Sequence, residues 1–254
     1  MKYFAIRLIA PFARKHRWRS FCEIGASNGE TTDELLKLPL SSYTIIDPCF
    51  DEDLPAKYRA DPRVAVFRMN SLDALTPPEL LRSATPFDCM LIDGDHNWYT
   101  VFNELSLIHE HGLLRPGSFI FLHDVNPPWA RRDLYYQPKT IPAEFRHPYA
   151  SRVPENGKHP QERVRENGLG IEIALDEGGS RNGVLTAIED FLAKHPGSYR
   201  FFRIETQFGL GVIQHVVPGA PSMLIYSSLF IKSWVYANIR RLAYPMKQAL
   251  KNRR

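Results

Sequence analysis

Cysteine is scarce in this sequence, and its few copies are unpaired. The 254 residues include three cysteines, Cys22, Cys49 and Cys89, and no CxxC pair. Cys22 and Cys89 lie within short apolar runs, which favours buried free thiols in a reducing compartment over a disulfide framework or a structural zinc site. We therefore expect a cytoplasmic protein.

Acidic residues are missing from both ends of the chain. Residues 1–20 carry six lysines or arginines and residues 216–254 carry seven, without any Asp or Glu, whereas the residues between them hold 19 basic and 28 acidic side chains. Enzymes that act on nucleic acids place positive charge around the site, so this distribution predicts no nucleic-acid partner. Both ends also bear apolar side chains such as Phe4, Ile6 and Trp234. Two alternatives stay open: peripheral contact with the inner face of the membrane, or packing of the ends on each other or on a second subunit of a homo-oligomer.

Long hydrophobic runs are absent as well. The first 20 residues have Arg7 inside their only apolar stretch and no small-residue cleavage site, and residues 223–236 are short and interrupted by Lys232. A membrane-spanning helix needs about 20 predominantly apolar residues. Neither segment therefore predicts a transmembrane helix or an export signal.

Five apolar runs of strand length dominate the first half of the chain. Their intervals fit a strand, a turn and a covering helix, and the runs end at Gly25, Asp47, Asn70, Asp93 and Asp124. Buried runs alternating with helices predict a parallel sheet with helices on both faces. Because ligands bind outside the carboxyl ends of such strands, we expect the five terminal residues to share one crevice.

The remaining segments complete the predicted fold. Helices are predicted over 28–38, 52–60, 76–84, 97–112 and 183–197, the fourth closing on Gly112 as a C-cap. Residues 199–206 and 209–215 are predicted to be strands joined by a tight turn, which permits an antiparallel pair. The fold class is therefore predicted as α/β, with a Rossmann-like seven-stranded sheet that is mostly parallel and has a reversed last strand.

The predicted domain organisation has three parts. A basic N-terminal segment, residues 1–20, precedes a main domain over 21–215, and a basic apolar extension follows over 216–254. A lid-like insertion at about 126–180 leaves from the fifth strand and should cover the crevice. Its aromatic residues suit a sugar face and its basic residues suit an anionic group, although a disordered or scaffolding loop is an alternative. These residues are Trp129, Tyr135, Tyr136, Phe145 and Tyr149 among Arg131, Arg132, Lys139, Arg146 and Arg152.

The stretch EIGASNG, residues 23–29, follows the first strand and has the features of a ligand loop. Gly25 and Gly29 let the chain turn sharply and admit a ligand against a helix N-terminus. The stretch is not GxGxxG and no Lys-Ser/Thr pair follows, which excludes a pyrophosphate fingerprint and a Walker loop. Asp47 stands where a carboxylate binds a ribose diol, so an adenosine-type ligand without a diphosphate is predicted.

The sequence resembles the class I S-adenosylmethionine-dependent methyltransferases, in the branch that includes sugar O-methyltransferases of antibiotic pathways and cephalosporin-hydroxylase-like proteins. The resemblance covers roughly residues 20–125 and 183–215, and it rests on the order of EIGASNG, IIDP, LIDGDHNWYTVFNEL and GLLRPGSFIFLHDV. It implies a methyltransferase domain over 21–215 with S-adenosylmethionine as cofactor. The implied cofactor-binding residues are Glu23, Gly25, Ala26, Ser27 and Gly29 at the methionine end, Asp47 at the ribose, Asn70, Ser71 and Asp73 near the adenine, and Asp93.

Acidic and imidazole side chains at two strand ends suggest the chemistry. Asp93 and Asp124 are expected to end neighbouring strands, where both carboxylates can hold one Mg²⁺. In the antibiotic-sugar relatives, acids at such positions hold the metal and a histidine three residues after the first acid acts as base, a spacing that His96 matches. Relatives often carry two acidic or amide side chains in tandem at the second acid, whereas this chain has His123 before Asp124. His123 is therefore a second candidate base, and the metal stays open.

A structural role for the same residues is the alternative. Asp93 and His96 could cap the helix that begins near residue 97, and Asp95 is the better-placed cap. The functional interpretation is an O-methyltransferase that acts on a hydroxyl of a sugar, glycan or related natural product, with His96, Asp93 and His123 as catalytic residues. The alternatives are a cephalosporin-hydroxylase-like protein of uncertain chemistry, and a non-catalytic membrane-associated scaffold that keeps the cofactor pocket.

Overall fold

The structure is a computed structural model that describes residues 1–49, 54–76, 86–151 and 171–216. The predicted helix over 76–84 and the extension over 216–254 lie outside these ranges, apart from their first residues. Part of the predicted insertion, residues 152–170, also lies outside them.

The described residues form ten strands. They are β1 (Ser20–Ile24), β2 (Ser42–Ile46), β3 (Val64–Phe67), β4 (Phe87–Ile92), β5 (Leu114–His123), β6 (Leu134–Tyr135), β7 (Tyr149–Ala150), β8 (Glu172–Ala174), β9 (Tyr199–Ile204) and β10 (Leu210–His215). Seven of them build the central sheet in the order β3-β2-β1-β4-β5-β10-β9. Strands β1 to β5 pair in parallel, and β10 is antiparallel to both of its neighbours. The predicted mostly parallel sheet with a reversed last strand is confirmed.

Helices cover both faces of this sheet. They are α1 (Lys2–Phe4), a π-helical stretch (Ala5–Ile9), α2 (Ala10–His16), α3 (Glu30–Leu35), α4 (Leu54–Arg59), α5 (Ser71–Leu75), α6 (Trp98–Glu110) and α7 (Val184–Lys194). The side chains of β5 alternate between the faces, as the period of two in a strand requires. Ile120 and Leu122 pack in the same core cluster as residues of α6 and α7, whereas Phe119 contacts the Phe12 ring of α2.

The basic N-terminal segment is an integral part of the fold. Helices α1 and α2 are continuous with the π-helical stretch between them, and the apolar side chains of this helix are buried. Phe4 is only 2% exposed, although Ile6 is 41% exposed. Burial of one large apolar side chain contributes about 1.5–3 kcal/mol, so packing on the main domain holds this end of the chain. Contact with a membrane, with the other end or with a second subunit stays a prediction. None of the described helices is long and apolar enough to cross a membrane.

The insertion forms a small sheet of its own. Strand β8 lies between β6 and β7 and is antiparallel to both. No periodic pattern marks these strands in the sequence, because each is only two or three residues long. Two 3₁₀ turns, Pro138–Thr140 and Ala143–Phe145, connect β6 to β7.

Candidate active site

The ends of β1 and β4 touch at the point where the strand order reverses. The Ile24 carbonyl accepts a hydrogen bond from Asp93 N at 2.9 Å, and Gly25 N donates to the Ile46 carbonyl at 2.9 Å. Gly25 has φ +83°, and a Cβ at this position would overlap the backbone of Asp93 and Gly94. Only glycine therefore permits this close approach. In open α/β sheets such a switch point is where ligands bind.

Asp47 ties the loop after β1 to the end of β2. Its Oδ2 accepts hydrogen bonds from Ala26 N and Ser27 N, both at 2.8 Å, and its Oδ1 accepts from Cys49 N at 2.7 Å. An ionised carboxylate offers about four lone-pair sites, so these amides leave capacity for a ligand hydroxyl. Asp47 thus shapes the loop as well as facing the cavity, a role that the sequence did not reveal.

A cavity of about 740 Å³ opens at these strand ends. Seven of the predicted cofactor residues line it: Gly25, Ser27, Asp47, Asn70, Ser71, Asp73 and Asp93. Four of the five strand-end residues expected to converge, Gly25, Asp47, Asn70 and Asp93, therefore line one cavity, whereas Asp124 is not among its lining residues. A volume of this size is typical of a pocket for a nucleoside-sized ligand.

Three predicted cofactor residues lie behind the cavity wall. Ala26 contributes its amide to Asp47, and Gly29, at φ +75°, is the N-cap of α3. Glu23 is 1% exposed and accepts hydrogen bonds from Thr32 Oγ1 and Tyr43 Oη, both at 2.6 Å. Burial raises the pKa of Glu23 to about 7, although these two hydrogen bonds oppose the shift. Glu23 is not among the residues that line the cavity, and its hydrogen bonds join β1 to α3 and β2. Its contact with the methionine end of the cofactor stays a prediction.

His96, His123, Asp93 and Asp124 form one cluster at the ends of β4 and β5. His123 Nδ1 lies 3.1 Å from Asp93 Oδ1 and 3.0 Å from Asp124 Oδ1, and His96 Nε2 lies 3.5 Å from Asp124 Oδ2. Asp124 has φ +60°, an uncommon conformation for a residue with a side chain. Asp93, His96 and Asp124 each offer one ligand atom, and these three atoms lie within 4.8 Å of one another.

Charge is nearly balanced within this cluster. Burial alone would lower the pKa of His123, but its contacts with Asp124 and Asp93 raise it well above the usual value. Burial would likewise raise the pKa of Asp93, but His123, the Met1 amino group and His96 lower it. These contacts favour the imidazolium form of His123, which has no lone pair with which to accept a proton. They favour His96 over His123 as the general base, and both assignments stay predictions.

The N-terminal helix closes the cluster from one side. The Phe4 ring packs edge-on against the His123 ring with centroids 5.9 Å apart, and the Met1 amino nitrogen lies 3.1 Å from Asp93 Oδ2. Lys2 forms an ion pair with Glu30 at the start of α3 at 3.2 Å. This segment was expected at a membrane or a protein contact, and its described part contacts the candidate active site.

Helix α6 is capped by Asn97, a residue that was not among the expected caps. Asn97 is the N-cap of α6, and its side chain accepts a hydrogen bond from Thr100 N at 2.8 Å. Asp95, the expected cap, instead accepts from Thr100 Oγ1 at 2.9 Å and lines the cavity. The capping alternative for Asp93 and His96 is therefore wrong.

Asp133 joins the insertion to the main domain and carried no sequence signal. It is fully buried, and its Oδ1 accepts from Trp98 N and Gly183 N, both at 2.7 Å, while Oδ2 accepts from Tyr135 Oη at 2.8 Å. A buried carboxylate must be hydrogen-bonded to be tolerated. No sequence pattern marks this role, because the partners of Asp133 are distant in the sequence and only the folded structure shows them.

The aromatic and basic residues of the insertion divide into two groups. Most are structural: Tyr135 is buried, Phe145 packs on Trp98, and Arg131 forms a two-pronged ion pair with Glu189 at 2.6 and 2.7 Å. Tyr136 is the exception, because it lines the cavity with Gln137, Thr140 and Ile141. The insertion thus covers one side of the cavity, and only a small part of its aromatic content faces it.

Comparison with known proteins agrees with this architecture. Residues 21–125 match the family model described as a methyltransferase domain. Among solved structures, the O-methyltransferase TomG from Streptomyces achromogenes, involved in tomaymycin synthesis and in complex with S-adenosylmethionine, is 16% identical with a TM-score of 0.52 over 83% of this chain and 79% of that chain. A proposed caffeoyl-CoA O-methyltransferase from Staphylococcus aureus is 13% identical with a TM-score of 0.50 over 84% and 83%. No curated protein sequence matches the chain.

Residues 21–125 form a methyltransferase domain. The order of the sheet and the cavity at its switch point agree with this match and with the resemblance to class I S-adenosylmethionine-dependent methyltransferases. At the identities above, the two solved structures show the shared fold alone.

Proposed function

We propose that the protein transfers the methyl group of S-adenosylmethionine to a hydroxyl oxygen of a sugar, glycan or related natural product. The observation that carries this proposal is the position of His96: its Nε2 lies 3.5 Å from Asp124 Oδ2, and its ring centroid lies 6.2 Å from that of the cavity-lining Tyr136. An imidazole titrates in the physiological range and is the side chain most often used to accept a proton in catalysis.

Methyl transfer requires the acceptor oxygen in line with the sulfur–methyl bond. As the carbon–oxygen bond forms, the carbon–sulfur bond breaks, S-adenosylhomocysteine leaves and the hydroxyl proton passes to the imidazole of His96. The protein's contribution is therefore positioning and proton removal. Gly25 and Asp47 hold the cofactor loop, and Asp124, 3.5 Å from His96 Nε2, stabilises the imidazolium that forms.

A divalent cation fits the same cluster. Asp124 Oδ1 is buried and has no hydrogen bond of good geometry, and two carboxylates with an imidazole are common ligands of such ions. Asp93 and Asp124, with His96 nearby, would hold Mg²⁺ or a similar ion. The positive charge of the ion would then replace the positive charge of His123 as the partner of the two carboxylates. A bound ion would lower the pKa of the acceptor hydroxyl.

His96→Gln tests the proposed base. Turnover should fall by about 10²-fold or more, while the affinity for S-adenosylhomocysteine stays within about twofold, because His96 acts on the acceptor. His111→Gln, at the far end of α6, is the matched control and should leave both values unchanged. An active His96→Gln enzyme with the wild-type pH profile would contradict the assignment.

Chelation separates the base from the metal. If the cation takes part, EDTA should suppress turnover, Mg²⁺ should restore it, and Asp124→Asn should weaken the response because an amide lacks the charge that holds a hard cation. Full turnover in EDTA would eliminate the metal and leave His96 as the sole means of proton removal.

A further inference from the structure

Tyr136 stands apart from the rest of the insertion. Its side chain is 40% exposed, it lines the cavity, and its ring centroid lies 6.2 Å from that of His96. Among the described residues, three other large apolar or aromatic side chains are exposed: Ile6, Leu175 and Phe208. None of these three lines the cavity.

The neighbouring residues fix Tyr136 beside the proposed base. Leu134 N donates to the His96 carbonyl at 3.1 Å, which joins β6 directly to the loop that carries His96. Tyr135 is fully buried and bound to Asp133, which in turn holds the start of α6. The two residues before Tyr136 are therefore bonded to the His96 loop and, through Asp133, to the start of α6, which restricts the position of Tyr136.

The charges around Tyr136 are mainly negative. The cavity lining contains Asp47, Asp73, Asp93 and Asp95, and among the described lining residues there is no Lys or Arg. Enclosure by protein first, and then the charges of Asp93, Asp124, Asp95 and Asp47, raise the pKa of Tyr136. His123 and the Met1 amino group offset the charges of Asp93 and Asp124. The negative excess in the cavity lining therefore comes from Asp47, Asp73 and Asp95.

Two arginines of the insertion, Arg131 and Arg132, do not line the cavity and are bonded within the protein. Arg131 is paired with Glu189, and Arg132 donates to the carbonyls of Ala174 and Leu175 at 2.6 and 2.8 Å. These groups are used in holding the insertion together. They are not arranged to bind a carboxylate or phosphate within the cavity.

We infer that Tyr136 forms a wall of the acceptor subsite, and that this subsite selects acceptors without negative charge over phosphorylated or carboxylated ones. The inference rests on the proposed function and narrows its substrate class to neutral or cationic hydroxyl compounds. The ring of Tyr136 offers a flat face and its hydroxyl a hydrogen bond to such an acceptor. An anion placed against the same ring would meet the charges of Asp47, Asp73 and Asp95, and none of the described lining residues is a Lys or Arg that would compensate them.

Charged thiol reagents test the inference without a known acceptor. Tyr136→Cys is made in a Cys49→Ser background of the full chain, because Cys49 also lines the cavity, while Cys22 and Cys89 are buried. With EDTA present and S-adenosylhomocysteine saturating, modification by a cationic methanethiosulfonate is compared with modification by an anionic one. Leu175→Cys, equally exposed but outside the cavity lining, is the control.

The cationic-to-anionic rate ratio at position 136 should exceed the ratio at position 175 by roughly tenfold, and the excess should shrink in high salt. An equal or reversed ratio overturns the charge selection. If Tyr136→Cys does not fold, Gln137→Cys gives the same readout from the next lining residue.

Protection of thiols by S-adenosylhomocysteine distinguishes the inference about Tyr136 from the proposed function. S-adenosylhomocysteine should slow modification of Cys49 in the wild-type chain but leave position 136 reactive, because the acceptor side stays open when the cofactor side is filled. Equal protection of position 136 would place Tyr136 in the cofactor wall and overturn the inference. Absence of any protection at Cys49 would instead count against the proposed function itself.

Discussion

At the scale of single residues, the structure separates groups that face the cavity from groups that hold it in place. Asp47 does both, since three backbone amides occupy its carboxylate and its side chain still lines the cavity. Glu23 and Asp133 act from behind the wall. A sequence motif identifies the loop but not which of its residues touches a ligand.

Asp47→Ala should remove both the ribose contact and the anchor of the loop. Hydrogen bonds to a charged group contribute about 1.5–3 kcal/mol each, so the affinity for S-adenosylhomocysteine should fall by about 100-fold or more in titration calorimetry. Asp73→Ala is the matched control, because Asp73 lines the same cavity and bonds only with Asn70 among the hydrogen bonds described. Equal losses in both variants would contradict the anchoring role.

Glu104 on α6 makes a residue-scale prediction about pH. It is 0% exposed, and neither carboxylate oxygen has a hydrogen bond of good geometry. Burial raises its pKa from 4.5 to about 8, although the Ser71 hydroxyl opposes the shift. Between these values native Glu104 keeps a proton that the unfolded chain has released, so stability falls as the pH rises.

Glu104→Gln removes that dependence. In urea unfolding between pH 5 and 8, the stability of the wild type relative to Glu104→Gln should fall by up to about 1.4 kcal/mol per pH unit. Below about pH 4.5, where Glu104 is protonated in both states, the difference should be constant. Parallel curves over the whole range would show that Glu104 is ionised in the native protein.

At the scale of elements, the contact between the ends of β1 and β4 decides whether the cavity exists. Gly25→Ala should lower the melting temperature and abolish S-adenosylhomocysteine binding, because the added Cβ meets the Asp93 carbonyl and Gly94 N. Gly197→Ala is the control, since Gly197 has a similar φ of +78° but open space around it. It should cost only the left-handed strain of about 1–2 kcal/mol and leave binding intact.

The insertion depends on Asp133 in the same way. Asp133→Ala leaves the donors of Trp98, Gly183 and Tyr135 without an acceptor, and each unsatisfied buried group costs about 1–3 kcal/mol. A loss of about 3 kcal/mol or more is expected in urea unfolding, with Asp176→Ala, an exposed position in the same insertion, within about 0.5 kcal/mol of wild type. If Asp133→Ala were as stable as Asp176→Ala, the insertion would be held by other contacts.

At the scale of the whole molecule, the central sheet could be predicted because its signal is repeated. Five apolar runs at regular intervals, each ending in a polar residue or glycine, leave little choice of topology, and the tight turn before Leu210 predicts the reversed strand. The convergence of Gly25, Asp47 and Asp93 on one cavity follows from parallel strands alone.

The other features lie beyond sequence patterns for physical reasons. The short strands of the insertion are too brief for a period to appear, and Asp133 is recognisable only through partners that are 35 and 50 residues away. The contact of Phe4 with His123 depends on tertiary packing of a helix whose basic composition suggested an exposed surface. The charge of His123 depends on Asp124, the next residue, and on Asp93, which only the pairing of β4 with β5 brings beside it.

Titration calorimetry of the full chain with S-adenosylhomocysteine tests the central claim most directly. One binding site per chain is expected, unaffected by His96→Gln and lost in Gly25→Ala and Asp47→Ala, because the first acts on the acceptor and the other two shape the cofactor loop. A folded wild-type chain that gives no binding heat, or binding that survives in both loop variants, would contradict the assignment of this cavity to S-adenosylmethionine.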